Sequence, residues 1–266
     1  VGLFNDVKDN YLAPISYLIS NYIREYDISK ANINILLYKG LISKDLYDEL
    51  YSLPKKEREV RVGLLIKYDQ NLNKELSKGF GEMRRLFFEA NQIQDYEVMA
   101  VKKDAIYLVG REAQVTAFKN VEFVCKNVYT SYYNLGVEFY YYLDTKQMEK
   151  LDIKGISDNM LYLHDPFMLD FLRYIFSLAQ NGAFVDAMND IRGFYNQMVL
   201  YQLPLGYYRE LNNRSLFRSR TVIDGNRIYL SSIGDKFDIK QALDASYNLG
   251  ILRNLYSIMS YHAAKR

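Results

Sequence analysis

The chain has 266 residues, 49% of them hydrophobic and 25% charged, which excludes disorder over most of its length and bounds it to one large domain or two small ones. Its 34 Lys and Arg against 32 Asp and Glu leave a formal charge of +2, which excludes a uniformly basic coat but leaves room for local basic patches. One cysteine, Cys125, excludes an intrachain disulfide and a Cys-based zinc site.

In chain order, Pro14 is expected to open a helix with Ile15, Leu18, Ile19 and Tyr22 on one face, followed by a short strand over 22–29. Residues 31–40 turn helical, with Gly40 as C-cap, and Ser43 is an N-cap candidate for a helix carrying Leu46, Tyr47 and Leu50. Leu53-Pro54 ends that helix. A basic helix over 55–68 and a longer one over about 74–93 follow, the latter with Leu76, Phe80, Met83, Phe87 and Ala90 on its buried face. Two apolar stretches flanking Lys103-Asp104 within 96–110 read as a hairpin.

Residues 111–155 are strand-rich, with β-branched and aromatic side chains in partial alternation. From 156 onward the chain reads as mostly helical. Pro166 opens a helix that Asn181-Gly182 breaks, and a second helix from about Phe184 to Tyr201 stops at Leu203-Pro204. Residues 221–230 read as a hairpin turning at Asp224-Gly225 or Gly225-Asn226, and a helix with Leu243, Tyr247, Ile251, Leu255 and Ile258 closes the chain. Cys125 is expected to be a small buried apolar residue, and His164 a loop or cap residue.

No apolar run approaches the roughly 18 residues needed to span a bilayer, so no membrane partner is expected. The single Cys fits a reduced, cytoplasmic compartment. The missing initiator Met reads as a trimmed chain or a piece of a longer one. The 26 Tyr and 14 Phe, with no Trp, are what AT-rich coding produces, as in a phage or low-GC bacterium, and their default role is amphipathic filler at core edges.

Phosphate-loop, dinucleotide, nucleophile-elbow and zincin motifs are absent. Two aspartates in similar settings remain. Asp27 ends an apolar strand just before a helix, and Asp104 sits at the turn of an apolar hairpin that follows a helix of about 20 residues. Carboxylates held on neighbouring strands suit phosphoryl transfer, where two divalent ions about 3.5–4 Å apart stabilise the attacking and leaving oxygens.

The segment Asp27-Ile28-Ser29-Lys30-Ala31-Asn32 resembles motif A of nucleic-acid polymerase palm domains, and Lys102-Lys103-Asp104-Ala105-Ile106-Tyr107-Leu108 resembles motif C. The helical pair over 166–201, ending in QLPLGYYREL, resembles the thumb that follows the palm in family-B DNA polymerases. The resemblance covers about 20–210, although its specificity lies in about a dozen residues. It implies an α+β protein, with a palm-like domain over 1–155 whose reduced fingers lie at about 40–93, and a helical thumb-like domain over 156–266. It implies template-directed nucleotidyl transfer with Mg2+ or Mn2+, a nucleoside triphosphate and a primer–template or single-stranded nucleic acid, in phage or mobile-element replication, hence in a host cytoplasm. Asp27 and Asp104 would be the catalytic metal ligands, joined by the Ile28 carbonyl. Ser29, Asn32, Lys55, Arg58 and Arg61 would meet the nucleotide. Lys102, Lys103, Arg209, Arg214, Arg218 and Arg220 would meet nucleic acid, the last four with Tyr207, Tyr208 and Phe217 interleaved.

The chain departs from that family in three ways. Its motif C has a lone acid between Lys103 and Ala105, only 77 positions separate the two aspartates, and the family's Lys-bearing fingers motif is not evident, with Lys55, Lys56, Arg58, Arg61 and Lys67 as local candidates; a further carboxylate would have to come from Glu25, Asp6, Asp9 or Glu97. Other readings therefore stand beside the enzyme. Asp27 can be a cap and Asp104 a turn residue. The alternating charges from Lys55 to Lys67 can be a solvated helix face, and the arginines a plain basic loop. On those readings the chain is an inactive palm-derived protein binding nucleic acid or a replication partner, or a host-interaction protein.

Overall fold

The structure, a computed structural model, describes residues 10–156, 158–211, 222, 223, 226, 227, 243 and 245–265. It is mixed α+β with an antiparallel sheet, and it divides into two compact units, Val1–Pro14 with Asn21–Tyr129 and Ile15–Ser20 with Thr130–Arg266. Residues 130–155, which the sequence groups with the first domain, thus belong to the second unit.

The first unit begins with β1 (Asn10–Leu12) and takes in most of β2 (Tyr17–Ile28). Four helices follow: α1 (Ala31–Tyr38), α2 (Lys44–Ser52), α3 (Lys55–Tyr68) and α4 (Gln70–Asn91). The hairpin β3 (Val98–Lys102) and β4 (Ala105–Val109) comes next, then β5 (Ala117–Phe118) paired with the start of β6 (Val121–Asn134). The strand order here is β1-β3-β4-β2-β6.

The helix expected from Pro14 is a strand instead. Ile15, Leu18, Ile19 and Tyr22 fit a helical face, but residues 17–28 are dense in Ile and Tyr, which favour extended backbone, and Ile23–Asp27 pair with Ala105–Val109 of β4. Cross-strand bonding overrides the local period. The downstream boundaries follow the punctuation in the sequence. Gly40 takes φ +66° just past α1, and the Ser43 hydroxyl accepts from the Leu46 N–H at 3.2 Å. Ala90, expected on the buried face of α4, is exposed.

Strand alternation sets the two faces of this sheet. Tyr26, Ile28, Ile106, Leu108, Val121 and Phe123 share one core with Ile33, Ile35 and Leu36 of α1 and Leu76, Phe80, Met83 and Phe87 of α4. Glu25, Asp27, Ala105 and Tyr107 therefore point to the opposite face. Cys125 is exposed rather than buried, because burial on the side of β6 that carries Val121 and Phe123 stops at Phe123 and returns only at Tyr129.

The second unit carries the end of β6, β7 (Glu138–Leu143), β8 (Glu149–Lys154), a short helix α5 (Asp158–Leu161), α6 (Asp170–Gln180) and α7 (Phe184–Val199). The antiparallel pair β9 (Val222–Ile223) and β10 (Asn226–Arg227) and the closing helix α8 (Ser246–Ala264) follow. The β9–β10 register pairs Ile223 with Asn226 and Val222 with Arg227, while Asp224 and Gly225 of the expected turn lie outside the described residues. Tyr133, Phe139, Tyr141 and Ile153 pack on Leu172, Ile175 and Phe176 of α6, and Tyr133 stacks on Phe176 with ring centres 4.0 Å apart. Ala187 and Ile191 of α7 and Leu252 and Leu255 of α8 complete this core. His164, expected as a loop or cap residue, sits at the cap position of a π-helical turn over 165–169, and its ring is fully buried.

Candidate active site

A cavity of about 390 Å3 opens in the first unit, lined by residues 27–33, by Lys55, Arg58, Glu59 and Val62 of α3, by Asp104, and by Val124 and Lys126 of β6. Asp27 reaches it as the penultimate residue of β2, on the face that α1 and α4 leave open. Asp104 reaches it from the two-residue turn between β3 and β4, where Lys103 takes φ +53°. The two segments are tied directly: Asp27 pairs with Ala105 across the ladder, and the Ile28 N–H donates to the Asp104 carbonyl at 3.2 Å.

The carboxylates feel one another. Burial and then the negative charge of Asp104 hold the Asp27 carboxyl above its usual range, opposed by Lys126, whose ammonium lies 3.7 Å from Asp27 Oδ2. Beside them, Ser29 bridges β2 and α1, its N–H donating to the Glu122 carbonyl at 2.9 Å. Lys30 takes φ +43° at the start of α1 without a side-chain cap, and residues 30–33 line the cavity. Asn34 braces the turn, donating to the Ser29 carbonyl at 2.6 Å and accepting from the Tyr47 hydroxyl at 2.7 Å. Arg58 donates to the Leu53 carbonyl at 3.1 Å, and Lys55 lies 3.9 Å from Glu59.

Seven of the residues singled out in the sequence thus line one cavity: Asp27, Ile28, Ser29, Asn32, Lys55, Arg58 and Asp104. Arg61 stands outside it, paired with Glu49 at 3.0 Å. Lys102 and Lys103 also lie off the lining, their ammonium groups 5.5 Å and 5.0 Å from the ring centres of Tyr107 and Phe80. Arg209 belongs to the second unit, where its carbonyl accepts from Asn248, and Arg214, Arg218 and Arg220 fall outside the described residues.

Sequence reading missed Lys126, and only its alternation with Val124 in an apolar strand could have marked it. Of the extra carboxylates considered, Glu25 is buried and accepts from the Tyr107, Tyr129 and Asn127 side chains, so it serves the sheet. Glu97 caps the turn at Gln94 and lies 3.6 Å from Arg111, while Asp6 and Asp9 fall outside the described residues. Among the described residues no group of three or more His, Cys, Asp and Glu is placed to hold a metal ion, and no helix is long and apolar enough to cross a membrane.

Fold and cavity together define an α+β protein whose first unit presents a strand-end and a hairpin-turn aspartate beside basic side chains. The chain belongs to the bacteriophage PBS1 gene 130 protein family, whose model it matches over residues 3–260. That description places it among phage proteins and names no activity. No curated protein matches the chain.

Proposed function

We propose that the protein is a phage nucleotidyltransferase of the DNA-polymerase type, acting on a nucleoside triphosphate and a nucleic-acid primer–template with Mg2+ or Mn2+. The observation that carries the reading is the gathering of Asp27, Asp104, Ser29, Asn32, Lys55 and Arg58 around one cavity, although the chain spaces them over 78 residues. Similarity of the segments at Asp27 and Asp104 to palm motifs A and C adds the reaction class.

A divalent ion fits the donors present. Two aspartates and the Ile28 carbonyl would offer hard oxygen ligands, and a cation there would offset the burial and the Asp104 charge that raise the Asp27 pKa. When bound, the ion supplies charge neutralisation at the phosphoryl oxygens. The protein's own groups do the rest. Asp27 and Asp104 would hold the ion on neighbouring segments, and Lys55, Arg58 and the start of α1 would bind the triphosphate. By its resemblance to motif A, Asn32 would meet the sugar.

Primer extension tests the reading. With either metal the protein extends a primer, and Asp27→Ala or Asp104→Ala abolishes extension while the circular dichroism spectrum stays native. Absence of extension by the wild type under both metals sinks it. One observation favours a second reading, an inactive palm-derived protein that binds nucleic acid or a replication or host partner: Lys126 is paired with Asp27 where a metal would sit. Nucleic-acid binding without extension would select it.

A further inference from the structure

We propose that Arg84 is a positioning residue for Asp104, a role that rests on the reading of Asp104 as a metal ligand. Arg84 lies in α4, on the helix-covered side of the sheet, and is fully buried. A buried guanidinium is expensive to desolvate, and an apolar side chain of similar size would serve a core as well. Here it has a specific acceptor. Its Nη1 donates to the Lys103 carbonyl, the first central carbonyl of the two-residue turn that presents Asp104. Lys102 pairs with Ala105, so the two turn residues between them lie outside the β3–β4 ladder.

Two further contacts fix the same turn. The Lys103 ammonium lies over the ring of Phe80, one turn earlier on α4, and the Ile28 N–H holds the Asp104 carbonyl. Asp104 is thereby located from both sides, by β2, which carries Asp27, and by Arg84 from beneath. Metal ligands need such support, because a loosely held carboxylate loses affinity for the ion without losing its place in the sequence.

The test uses Arg84→Met, which keeps length and packing, Arg84→Gln, which cannot span the distance, and Arg84→Lys, which restores a donor. Two quantities are read on folded protein: amide hydrogen exchange along 98–109, and Mn2+ affinity by calorimetry. The expected result in the Met variant is exchange at least tenfold faster at residues 103–105 than in the wild type, with the ladder residues of β3 and β4 little changed. Mn2+ binding weakens at least tenfold, and the Lys variant recovers part of both losses. Uniformly faster exchange, or unchanged Mn2+ affinity in a folded Met or Gln variant, overturns the proposal. So does loss of the fold in both, which assigns Arg84 to the core alone. If wild-type protein binds no Mn2+ through Asp27 and Asp104, the metal reading fails, and the exchange pattern still decides whether Arg84 anchors the turn.

Discussion

Replacing Asp27 by Asn separates a metal ligand from a structural aspartate. The substitution removes the contact with the Lys126 ammonium at 3.7 Å. In the dielectric of water that attraction is worth about 1 kcal/mol, and the lysine is more than half exposed, so about 1 kcal/mol is the ceiling on what is lost. Against it stand the burial of the carboxylate and its repulsion by Asp104, which together outweigh Lys126, since the Asp27 pKa is raised. In the presence of a chelator the Asn variant should therefore melt level with the wild type or up to about 2–4 °C higher, corresponding to about 1 kcal/mol for a chain of this size. Mn2+ reverses the order. At a concentration about 100-fold above its dissociation constant, the ion should stabilise the wild type by about 2.7 kcal/mol and the variant hardly at all. The assay is thermal melting of both proteins with chelator and across a Mn2+ series. An Asn variant that loses about 0.5–2 kcal/mol in chelator, as a lost cap or turn bond would cost, and that responds to Mn2+ as the wild type does, would refute the reasoning.

Lys55→Ala with Arg58→Ala removes two cations from the cavity wall, and nucleotide affinity by calorimetry should fall at least tenfold with a shallower dependence on salt. His164→Phe tests a different group. Burial, and then the charge of Arg209, push the pKa of His164 down from 6.5 to about 4, and among the described residues neither ring nitrogen has a hydrogen-bond partner. The folded chain thus refuses a proton that the unfolded chain accepts, so this contribution is intact above pH 6.5 and is lost as pH falls toward 4, about 3 kcal/mol in all. Denaturant midpoints at pH 7 and 4.5 should show a shallower acid loss in the Phe variant; equal loss in both proteins counts against it. Gly79→Ala would place a methyl 2.3 Å from Ile35 Cγ2, where α4 meets α1, and should cost roughly 1–3 kcal/mol in urea unfolding.

Much of the fold was legible because its signals are local. The Ser43 cap, the turn at Gly40, the stops at Leu53-Pro54 and Leu203-Pro204, and the Lys103-Asp104 hairpin all depend on residues within a few positions of one another. The first turn of the site was legible for the same reason: a strand, an aspartate and a helix start within six residues. Where the sequence reading failed, distant pairing decided. Residues 15–22 fit a helical face, and only the tertiary structure shows that strand β2 already begins at Tyr17, running on into 23–27, which pair with β4.

By itself the sequence determined the α+β class, most helix boundaries and the two aspartates that stand out. Tertiary structure decided which charges share the cavity. Lys55 and Arg58 face it, whereas Arg61, one helical turn on, is turned to Glu49, a difference set by how α3 packs and not by composition. Lys126 enters through the strand alternation of β6, and Arg84 reaches the Asp104 turn from the far side of the sheet. Glu25 looks like a further ligand in sequence but is held by Tyr107, Tyr129 and Asn127, residues about 80–100 positions away. Such partners meet only when the chain closes on itself, because hydrogen bonds and ion pairs act over a few ångströms of space at any separation along the chain.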